Sequence, residues 1–268
     1  MRIERISVIG IGEVGTPTLE DLTKKAKGVE VVGVDTNLAT LEKFKQRGYH
    51  VAPRAPPSNA YIVSVYLTAQ IFKVFETLDL SRKPLVSIES TIDVTETPAF
   101  RAWAKETGTY LVTVPHRFVP GDPAHRVFNL DRVLGGVDSA STSLGMRFYE
   151  QFMEPPAAIH QASSFEMAAL SKLMDNTTRY KDILWAQDMK MAAERLGYNA
   201  EELFRLSSTK FNIKIMQPRD GIKLKCLPKD AELLAKAFDS PLINNMIERN
   251  EVYKQYATDK GLPKTPDL

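Results

Sequence analysis

The sequence has very little cysteine and no long apolar run, and these two absences exclude several classes of protein. Its 268 residues include one cysteine, so a disulfide within the chain is impossible and a reducing compartment is expected. No apolar run approaches the roughly 18 residues of a membrane span. The opening segment is too short and too charged for a secretion signal. We therefore expect a cytoplasmic protein that does not contact the membrane.

Charge of one sign is not in excess either. The chain has 35 Lys and Arg against 33 Asp and Glu, a net charge of +2, and the two signs are interspersed. This balance argues against nucleic acid or an acidic membrane surface as a partner. The content of 43% hydrophobic and 25% charged residues is typical of a globular protein. The length suits one large domain or two modest ones.

Short runs rich in Val and Ile alternate with amphipathic stretches in the first half. The predicted strands are Ile6–Gly10, Glu30–Asp35, Tyr61–Tyr66, Leu85–Glu89, Tyr110–Val114 and Val133–Val137. The predicted helices between them are Val14–Lys27, Leu38–Arg47 and Ala69–Leu78. This alternation predicts an α/β fold with a Rossmann-type, doubly wound parallel sheet. The continuously apolar strands suit a sheet that is covered on both faces.

The pattern changes near Pro155-Pro156, and the second half predicts an all-α helical domain. Its expected helices are Phe165–Leu196, Ala200–Thr209, Ala231–Ala237 and Ile243–Thr258, with a basic loop at Gln217–Lys229 and a frayed tail at Gly261–Leu268. The first of these helices contains no Gly or Pro and ends at Gly197, a typical C-terminal stop. We expect two domains, 1–155 and 156–268.

A glycine-rich turn follows the first predicted strand. The segment Gly10-Ile11-Gly12-Glu13-Val14-Gly15 matches G-x-G-x-x-G and opens a helix. The first glycine permits the tight turn, the second lets a pyrophosphate approach the backbone, and the third lets the helix pack on the sheet. The helix N-terminus offers free N–H groups to phosphates. The pattern predicts a dinucleotide site, although a glycine turn without a ligand is the alternative.

Asp35 lies 20 residues after Gly15, at the end of the second predicted strand. A carboxylate there accepts hydrogen bonds from the ribose 2′-OH and repels a 2′-phosphate. Thr36 and Asn37 follow it, where an NADP site would have arginine. These residues predict that domain 1–155 binds NAD in preference to NADP.

Five further segments resemble motifs of the UDP-glucose/GDP-mannose 6-dehydrogenase family, particularly its UDP-N-acetylmannosamine dehydrogenase branch. They are Glu89-Ser90-Thr91, Pro115–Gly121, Asp131–Gly136, Lys172–Asn176 and Cys226–Asp230. They occur in the family's order with similar spacing. The resemblance implies that Val65 and Thr91 also contact NAD, that His116 and Arg117 face substrate, and that no metal is needed.

The resemblance also implies a reaction, the four-electron oxidation of a primary alcohol to a carboxylate with two NAD. The substrate would be a nucleotide sugar or another small hydroxylated molecule. Cys226 would add to the aldehyde and form a thiohemiacetal, which is oxidised to a thioester and hydrolysed. Lys172 would stabilise the oxyanion, and Asn176 would position it and a water. Asp230 would support proton transfer.

Each of these residues also has a purely structural interpretation. Cys226 has lysine neighbours that favour a thiolate, but small cysteines are commonly buried in cores. Lys172 and Asn176, four residues apart, share one helix face, which could be merely solvated. The same Lys-x-x-x-Asn pattern is found in β-hydroxyacid dehydrogenases. Two alternatives therefore stay open: a hydroxyacid-type enzyme in which Cys226 is idle, and a non-catalytic NAD-binding or regulatory homologue.

The sequence departs from the family pattern in three places. His116 stands where the family has an acidic residue, and it either handles protons or has only a structural partner. Leu224-Lys225 replaces the glycines that normally precede the cysteine. The chain ends after the predicted helix Ile243–Thr258. We therefore expect that it lacks the family's C-terminal sugar-nucleotide domain, and a separate chain is one possible source of that domain.

The long helix Phe165–Leu196 carries apolar residues on more than one face. At 1.5 Å per residue it would span roughly 48 Å. A helix that is apolar on several sides is usually buried, and a second copy of the chain is one way to bury it. We expect a homodimer through this helix, the alternative being burial against the chain's own sheet domain.

Overall fold

The computed structural model describes residues 3–118, 122, 124–223 and 226–263. Parts of three predicted features fall outside these residues: the end of the Pro115–Gly121 motif, the Leu224-Lys225 pair and the end of the tail. The chain divides into two compact units, Met1–Lys172 and Leu173–Leu268.

The first unit is built on a sheet of eight strands within the described residues. They are β1 (Arg5–Ile9), β2 (Glu30–Val34), β3 (His50–Ala52), β4 (Ala60–Val63), β5 (Leu85–Ile88), β6 (Tyr110–Thr113), β7 (Arg132–Gly136) and β8 (Ile159–Gln161). Their order is β3-β2-β1-β4-β5-β6-β7-β8. Neighbouring strands are parallel except β6 and β7, which are antiparallel. The predicted Rossmann-type fold class is therefore confirmed, except that the last two strands, β7 and β8, run antiparallel to the other six.

Helices cover both faces of this sheet. They are α1 (Gly15–Lys25), α2 (Leu38–Gln46), α3 (Thr68–Phe75), α4 (Thr97–Thr107) and α5 (Ser139–Glu150), with a short 3₁₀ turn at Val94–Glu96. The buried apolar residues form two clusters. Along β1 the side chains of Ile6 and Val8 enter one cluster and that of Ile9 the other, because successive strand residues point to opposite faces. Burial on both faces explains the continuously apolar strands.

The crossover between β1 and β4 sets the position of the candidate site. β1 pairs with β2 on one side and with β4 on the other. The chain leaves in opposite directions from these neighbours, which creates a crevice beyond the carboxyl ends of the strands. The glycine turn follows β1 and Val65 lies just after β4, so both border this crevice.

Four elements of the first unit were not predicted from the sequence. The edge strands β3 and β8 have three residues each and are largely exposed, so their hydrophobic signal is weak. Helix α5 contains Gly145, which disfavours a helix prediction. A Cβ on Gly145 would lie 2.8 Å from Val112 Cγ1, so tertiary packing explains the glycine. Helix α4 is amphipathic and begins at Thr97-Pro98, because proline is tolerated in the first turn of a helix.

The second unit consists of the greater part of α6 (Phe165–Arg195) followed by α7 (Ala200–Ser207), α8 (Cys226–Phe238) and α9 (Pro241–Asp259). Asn199 caps α7 by accepting from Glu202 N, and Ser240 caps α9 by accepting from Ile243 N. None of the helices in the described part of the chain is long and apolar enough to cross a membrane.

Two boundaries differ from their predicted positions. The predicted loop Gln217–Lys229 is wrong at its end, because α8 begins at Cys226. Pro228 suggested a loop, but proline is tolerated in the first helical turn, where its missing N–H has no helical partner. The sequence places the domain boundary at 155/156, whereas the compact units divide at Lys172. The first turns of α6 belong with the sheet because Phe165 and Ala169 enter its apolar core.

Candidate functional site

The glycine turn combines two tightly packed glycines with one that faces open space. Gly10 has a φ of +84°, and a Cβ there would lie 2.7 Å from Ser64 O and 3.2 Å from Val65 Cγ1. A Cβ on Gly15 would lie 2.1 Å from Gly10 O. A Cβ on Gly12 would meet nothing within 4 Å. The turn therefore holds its shape through Gly10 and Gly15 and leaves room for a ligand at Gly12.

An open cleft of about 420 Å³ lies beside this turn. Its walls include Ile11, Gly12, Glu13 and Thr16 from the turn and the start of α1. Val14 lies just before the helix. Lys43 of α2 and Phe118 of the loop after β6 complete the wall. The cleft therefore presents a helix N-terminus, which suits the phosphates of a dinucleotide.

Asp35 lies beside the glycine turn and is hydrogen-bonded to it. Its Oδ2 accepts from Ile11 N at 3.1 Å, and its Oδ1 accepts from Asn37 N at 2.9 Å. Each carboxylate oxygen has a second lone pair, so both can still accept from a ribose hydroxyl. The open space at Gly12 and the adjacent carboxylate together fit a dinucleotide with an unmodified 2′-OH.

Gly12 and Gly15 provide a matched pair of variants. We expect Gly12→Ala to leave the melting temperature unchanged within about 2 °C, because its Cβ meets no atom, and to weaken NAD binding about tenfold or more by blocking the pyrophosphate. Gly15→Ala should destabilise the fold by about 1–3 kcal/mol, since backbone must shift. Calorimetric titration and thermal unfolding measure both effects. Equal loss of stability in the two variants would contradict the assignment.

Asp35→Asn tests the carboxylate without changing its size. The side-chain amide keeps one acceptor oxygen but loses the charge, so we expect about a tenfold weaker NAD affinity, the equivalent of roughly 1.4 kcal/mol. We also expect the preference for NAD over NADP to shrink. Separate titrations with the two dinucleotides measure this change. An unchanged preference would show that Asp35 does not contact the ribose.

A buried polar network lies behind the carboxyl end of β5. Glu89 Oε2 lies 2.6 Å from His116 Nε2 and accepts from Thr18 Oγ1 at 2.8 Å. Its Oε1 accepts from Tyr149 OH at 2.9 Å and pairs with Arg132 Nη1 at 3.0 Å. Arg132 is 1% exposed, which is rare for arginine. Burial on this scale requires the charges to be paired.

The charges of this network explain its pKa shifts. Burial alone raises the pKa of Glu89, but the nearby Arg132 guanidinium and His116 outweigh it and leave that pKa well below its usual range. Burial lowers the pKa of His116; Glu89 opposes the shift, while the charges of Arg132 and Lys172 add to it. Burial and the Glu89 carboxylate raise the pKa of Tyr149. Glu89 is therefore ionised and His116 neutral near pH 7.

His116 and Arg117, the two residues that the resemblance places at the substrate, follow β6 and have different surroundings. His116 is 7% exposed and held by Glu89 and by Thr18 Oγ1, 2.9 Å from its Nε2. Its ring also packs edge-on against Phe118. Arg117 is half-buried, and its charge is one of the influences that lower the pKa of Asp131, the largest being the Ala158 N–H. Thr91, in the loop after β5, is also half-buried.

Because folding lowers the pKa of His116, the free energy of unfolding should depend on pH. Its folded pKa is below the ordinary value of about 6.5, so the unfolded chain binds more protons as the solution is acidified. Its contribution is therefore fully present above pH 6.5 and is lost as pH falls through the folded pKa. One proton gives a slope of at most about 1.4 kcal/mol per pH unit. Urea unfolding of the wild type and His116→Gln between pH 7 and 5 should show a shallower slope in the variant; equal slopes would contradict the account.

In the second unit, two predicted catalytic residues are hydrogen-bonded to each other. Asn176 Nδ2 of α6 donates to Asp230 Oδ2 of α8 at 2.6 Å. Lys229 Nζ lies 2.5 Å from Asp230 Oδ1, and the Asp230 side chain is almost fully buried. The sequence marks Lys229 only as one of the lysines that favour a Cys226 thiolate, whereas the structure pairs it with Asp230. The buried carboxylate is therefore held from both sides.

Cys226 and Lys172 each lie one helical turn from this pair. Cys226 is exposed and lies at the start of the described part of α8, and Asp230 follows four residues later. Thiols at helix N-termini and near cations ionise more readily than free thiols. Lys172 precedes Asn176 by four residues on the continuous helix α6, so the two share a helix face. Among the described residues, no group of three His, Cys, Asp or Glu side chains is arranged to hold a metal.

Comparison with known proteins gives a consistent set of relatives. Residues 166–252 match the central domain of the UDP-glucose/GDP-mannose dehydrogenase family. The chain is 26% identical to UDP-N-acetyl-D-mannosamine dehydrogenase of Methanocaldococcus jannaschii, over 96% of this chain and 67% of that protein. It is 29% identical to the enzyme of that name from Pyrococcus horikoshii, over 86% of this chain and 63% of the relative. The chain thus spans about two thirds of the length of these relatives.

Solved structures agree with the sequence comparisons. The structure of the Pyrococcus horikoshii UDP-D-ManNAc dehydrogenase superposes with a TM-score of 0.80 at 27% identity, over 95% of this chain and 70% of that one. Mycobacterium tuberculosis 3-hydroxyisobutyrate dehydrogenase superposes with a TM-score of 0.72 at 17% identity, over 96% of this chain and 95% of that one. The second likeness concerns the fold alone, so the fold does not separate the two kinds of enzyme.

The fold is of the Rossmann type, and the relatives that match most of the chain are named as dehydrogenases. Within that class the chain is a relative of nucleotide-sugar dehydrogenases, and the resemblance predicted from the sequence motifs is confirmed.

Proposed function

We propose that this chain is an NAD-dependent dehydrogenase that oxidises the primary alcohol of a nucleotide sugar to a carboxylate. UDP-N-acetylmannosamine is the first substrate to test, because relatives that cover most of the chain are named for it. The observation that carries the proposal is the contact between Asn176 and Asp230, one turn from Cys226 on α8.

The glycine turn supplies the proposed cofactor site. Gly12 and the N-terminus of α1 would hold the pyrophosphate, and Asp35 would hold the adenosine ribose. Val65 and Thr91 would border the rest of the cofactor. When bound, NAD accepts the hydride released by the carbon that is oxidised. The chain's own residues must then bind the substrate and move its protons.

Four residues would carry the substrate chemistry. Lys172 would stabilise the negative charge that develops on the alcohol oxygen, and the Asn176 amide would hold that oxygen in place. The Cys226 thiolate would add to the aldehyde carbon and form a thiohemiacetal, and loss of a second hydride from that carbon would leave the acyl group on the sulfur as a thioester. The Asp230 carboxylate orients Asn176 through their hydrogen bond and would assist the hydrolytic water. The proposed mechanism requires the Cys226 sulfur to reach the carbon that donates the hydride.

We further propose that the protein is cytoplasmic and forms a homodimer through α6. Met174 and Trp185 are both about half exposed on this helix, and a second copy of the chain is one way to cover them. The molecular mass in solution is the direct check of this proposal.

A substrate panel tests the proposed function against its alternatives. The purified protein is incubated with NAD and, separately, UDP-N-acetylmannosamine, UDP-glucose and 3-hydroxyisobutyrate, and absorbance at the NADH maximum is followed. We expect turnover with a nucleotide sugar. Turnover with only the hydroxyacid would favour the hydroxyacid-type enzyme, and NAD binding without turnover on any substrate would favour a non-catalytic homologue.

A further inference from the structure

Asn250, a buried residue of α9, is hydrogen-bonded to the backbone of the loop that precedes Cys226. Asn250 is 1% exposed. Its Oδ1 accepts from Ile222 N at 3.0 Å, and its Nδ2 donates to Ile222 O at 3.2 Å. One side chain therefore satisfies both backbone groups of one residue. Because Ile222 is also buried, water cannot replace these bonds, and losing them leaves unsatisfied groups.

Two other fully buried side chains hold the same loop. Tyr253, three residues after Asn250 on α9, donates its hydroxyl to Arg219 O at 2.9 Å. Gln187 of α6 donates from Nε2 to Pro218 O at 3.3 Å. The segment 218–222 is therefore anchored at three backbone positions by side chains from two helices.

The loop also lies close against α9. Gly221 has a φ of +116°, and a Cβ there would lie 2.7 Å from Lys254 Cγ. Asp220 is buried and pairs with Lys223 at 2.5 Å. Together these contacts hold the loop against α6 and α9, although it contains no regular secondary structure. Side chains that hold the backbone beside a reactive residue can position that residue.

We propose that Asn250 is a positioning residue that holds the backbone at Ile222 and thereby fixes the place of Cys226, four residues later in the chain. The proposal rests on the proposed function for the role of Cys226 as nucleophile. Ile222 precedes Cys226 by only four residues, so a backbone anchored at Ile222 limits how far Cys226 can move. If the loop is released, the thiol loses its fixed place at the helix N-terminus, where thiolates are favoured.

The single cysteine of the chain makes a direct test possible. The rate of alkylation by iodoacetamide is measured at pH 7 on the intact protein, well below the melting temperature. We expect Asn250→Ala to react about tenfold more slowly than the wild type. Tyr253→Phe, which removes one hydroxyl and keeps the ring, should be slower by about twofold. Met246→Ala is the matched control, because Met246 is buried on the same helix and its thioether cannot donate the hydrogen bonds that Asn250 and Tyr253 make; its rate should stay within 1.5-fold of the wild type.

The proposal is overturned if Asn250→Ala keeps the wild-type rate, or if Met246→Ala slows the reaction equally, which would indicate general loosening. If Asn250→Ala does not fold, Asn250→Asp replaces it, because this variant keeps the acceptor for Ile222 N and loses the donor to Ile222 O. Its rate should fall below that of Tyr253→Phe, and a wild-type rate would overturn the proposal. The proposed function fails separately, if the wild type makes no carboxylate while these variants still change the rate.

Discussion

Cys226→Ala is expected to abolish carboxylate formation from the nucleotide sugar, with a loss of about 10³-fold or more in rate. The reason is that the second oxidation requires a covalent thiohemiacetal, and no other cysteine exists in the chain. The product is quantified by chromatography after incubation with NAD. Cys226→Ser keeps the size of the side chain and should lose nearly as much, because a serine hydroxyl is far less acidic than a thiol.

Glu232→Gln is a matched control for this experiment. Glu232 is exposed on the same helix, and its replacement should change the rate less than twofold. Melting temperatures of all variants should agree, because Cys226 is exposed and its truncation leaves no cavity. Carboxylate formation at the wild-type rate by Cys226→Ala would show that the thiol is idle, as in the hydroxyacid-type alternative.

Glu89→Ala is expected to destabilise the protein by about 3–5 kcal/mol, the usual cost of leaving a buried charge without its partner. The Arg132 guanidinium lies 3.0 Å from Glu89 and is 1% exposed, so it has no access to water. Tyr149 and Thr18 would also lose their acceptor. Urea unfolding followed by circular dichroism measures the free energy of unfolding.

Two further variants separate this effect from a general loss of charge. Arg132→Met in the Glu89→Ala background should recover a substantial part of the lost stability, because it removes the orphaned cation. Glu30→Gln breaks the exposed pair with Arg5 and should cost less than about 1 kcal/mol. The account would be contradicted if Glu89→Ala lowered the free energy of unfolding no more than Glu30→Gln does.

The central strands of the sheet could be predicted because each is a short, mostly apolar run in the sequence. β1, β2, β4, β5 and β6 are apolar on both faces, and the glycine turn marks the end of β1. The edge strands β3 and β8 could not be predicted, since exposed strands of three residues have no hydrophobic pattern. The antiparallel direction of β7 depends on where the loop after β6 leads, and sequence periodicity contains no such information.

Sequence motifs identified individual residues of the candidate site, but not the contacts between residues that lie far apart in the chain. Asn176 and Asp230 were both chosen from motifs, but their hydrogen bond joins residues far apart in sequence. Arg132 lay within a recognised motif, yet its partnership with Glu89 depends on the pairing of distant strands. Asn250 has no motif signal, because a buried asparagine in a helix resembles any exposed one until the structure shows its contacts.

The central claim is that this chain binds NAD and uses it twice for each molecule of substrate. The most direct test is the ratio of NADH formed to carboxylate formed with the nucleotide sugar that gives turnover, measured by absorbance and chromatography on the same sample. We predict a ratio of two, because the alcohol is oxidised first to the aldehyde level and then to the acid. A ratio of one, with an aldehyde or ketone as the product, would contradict the account.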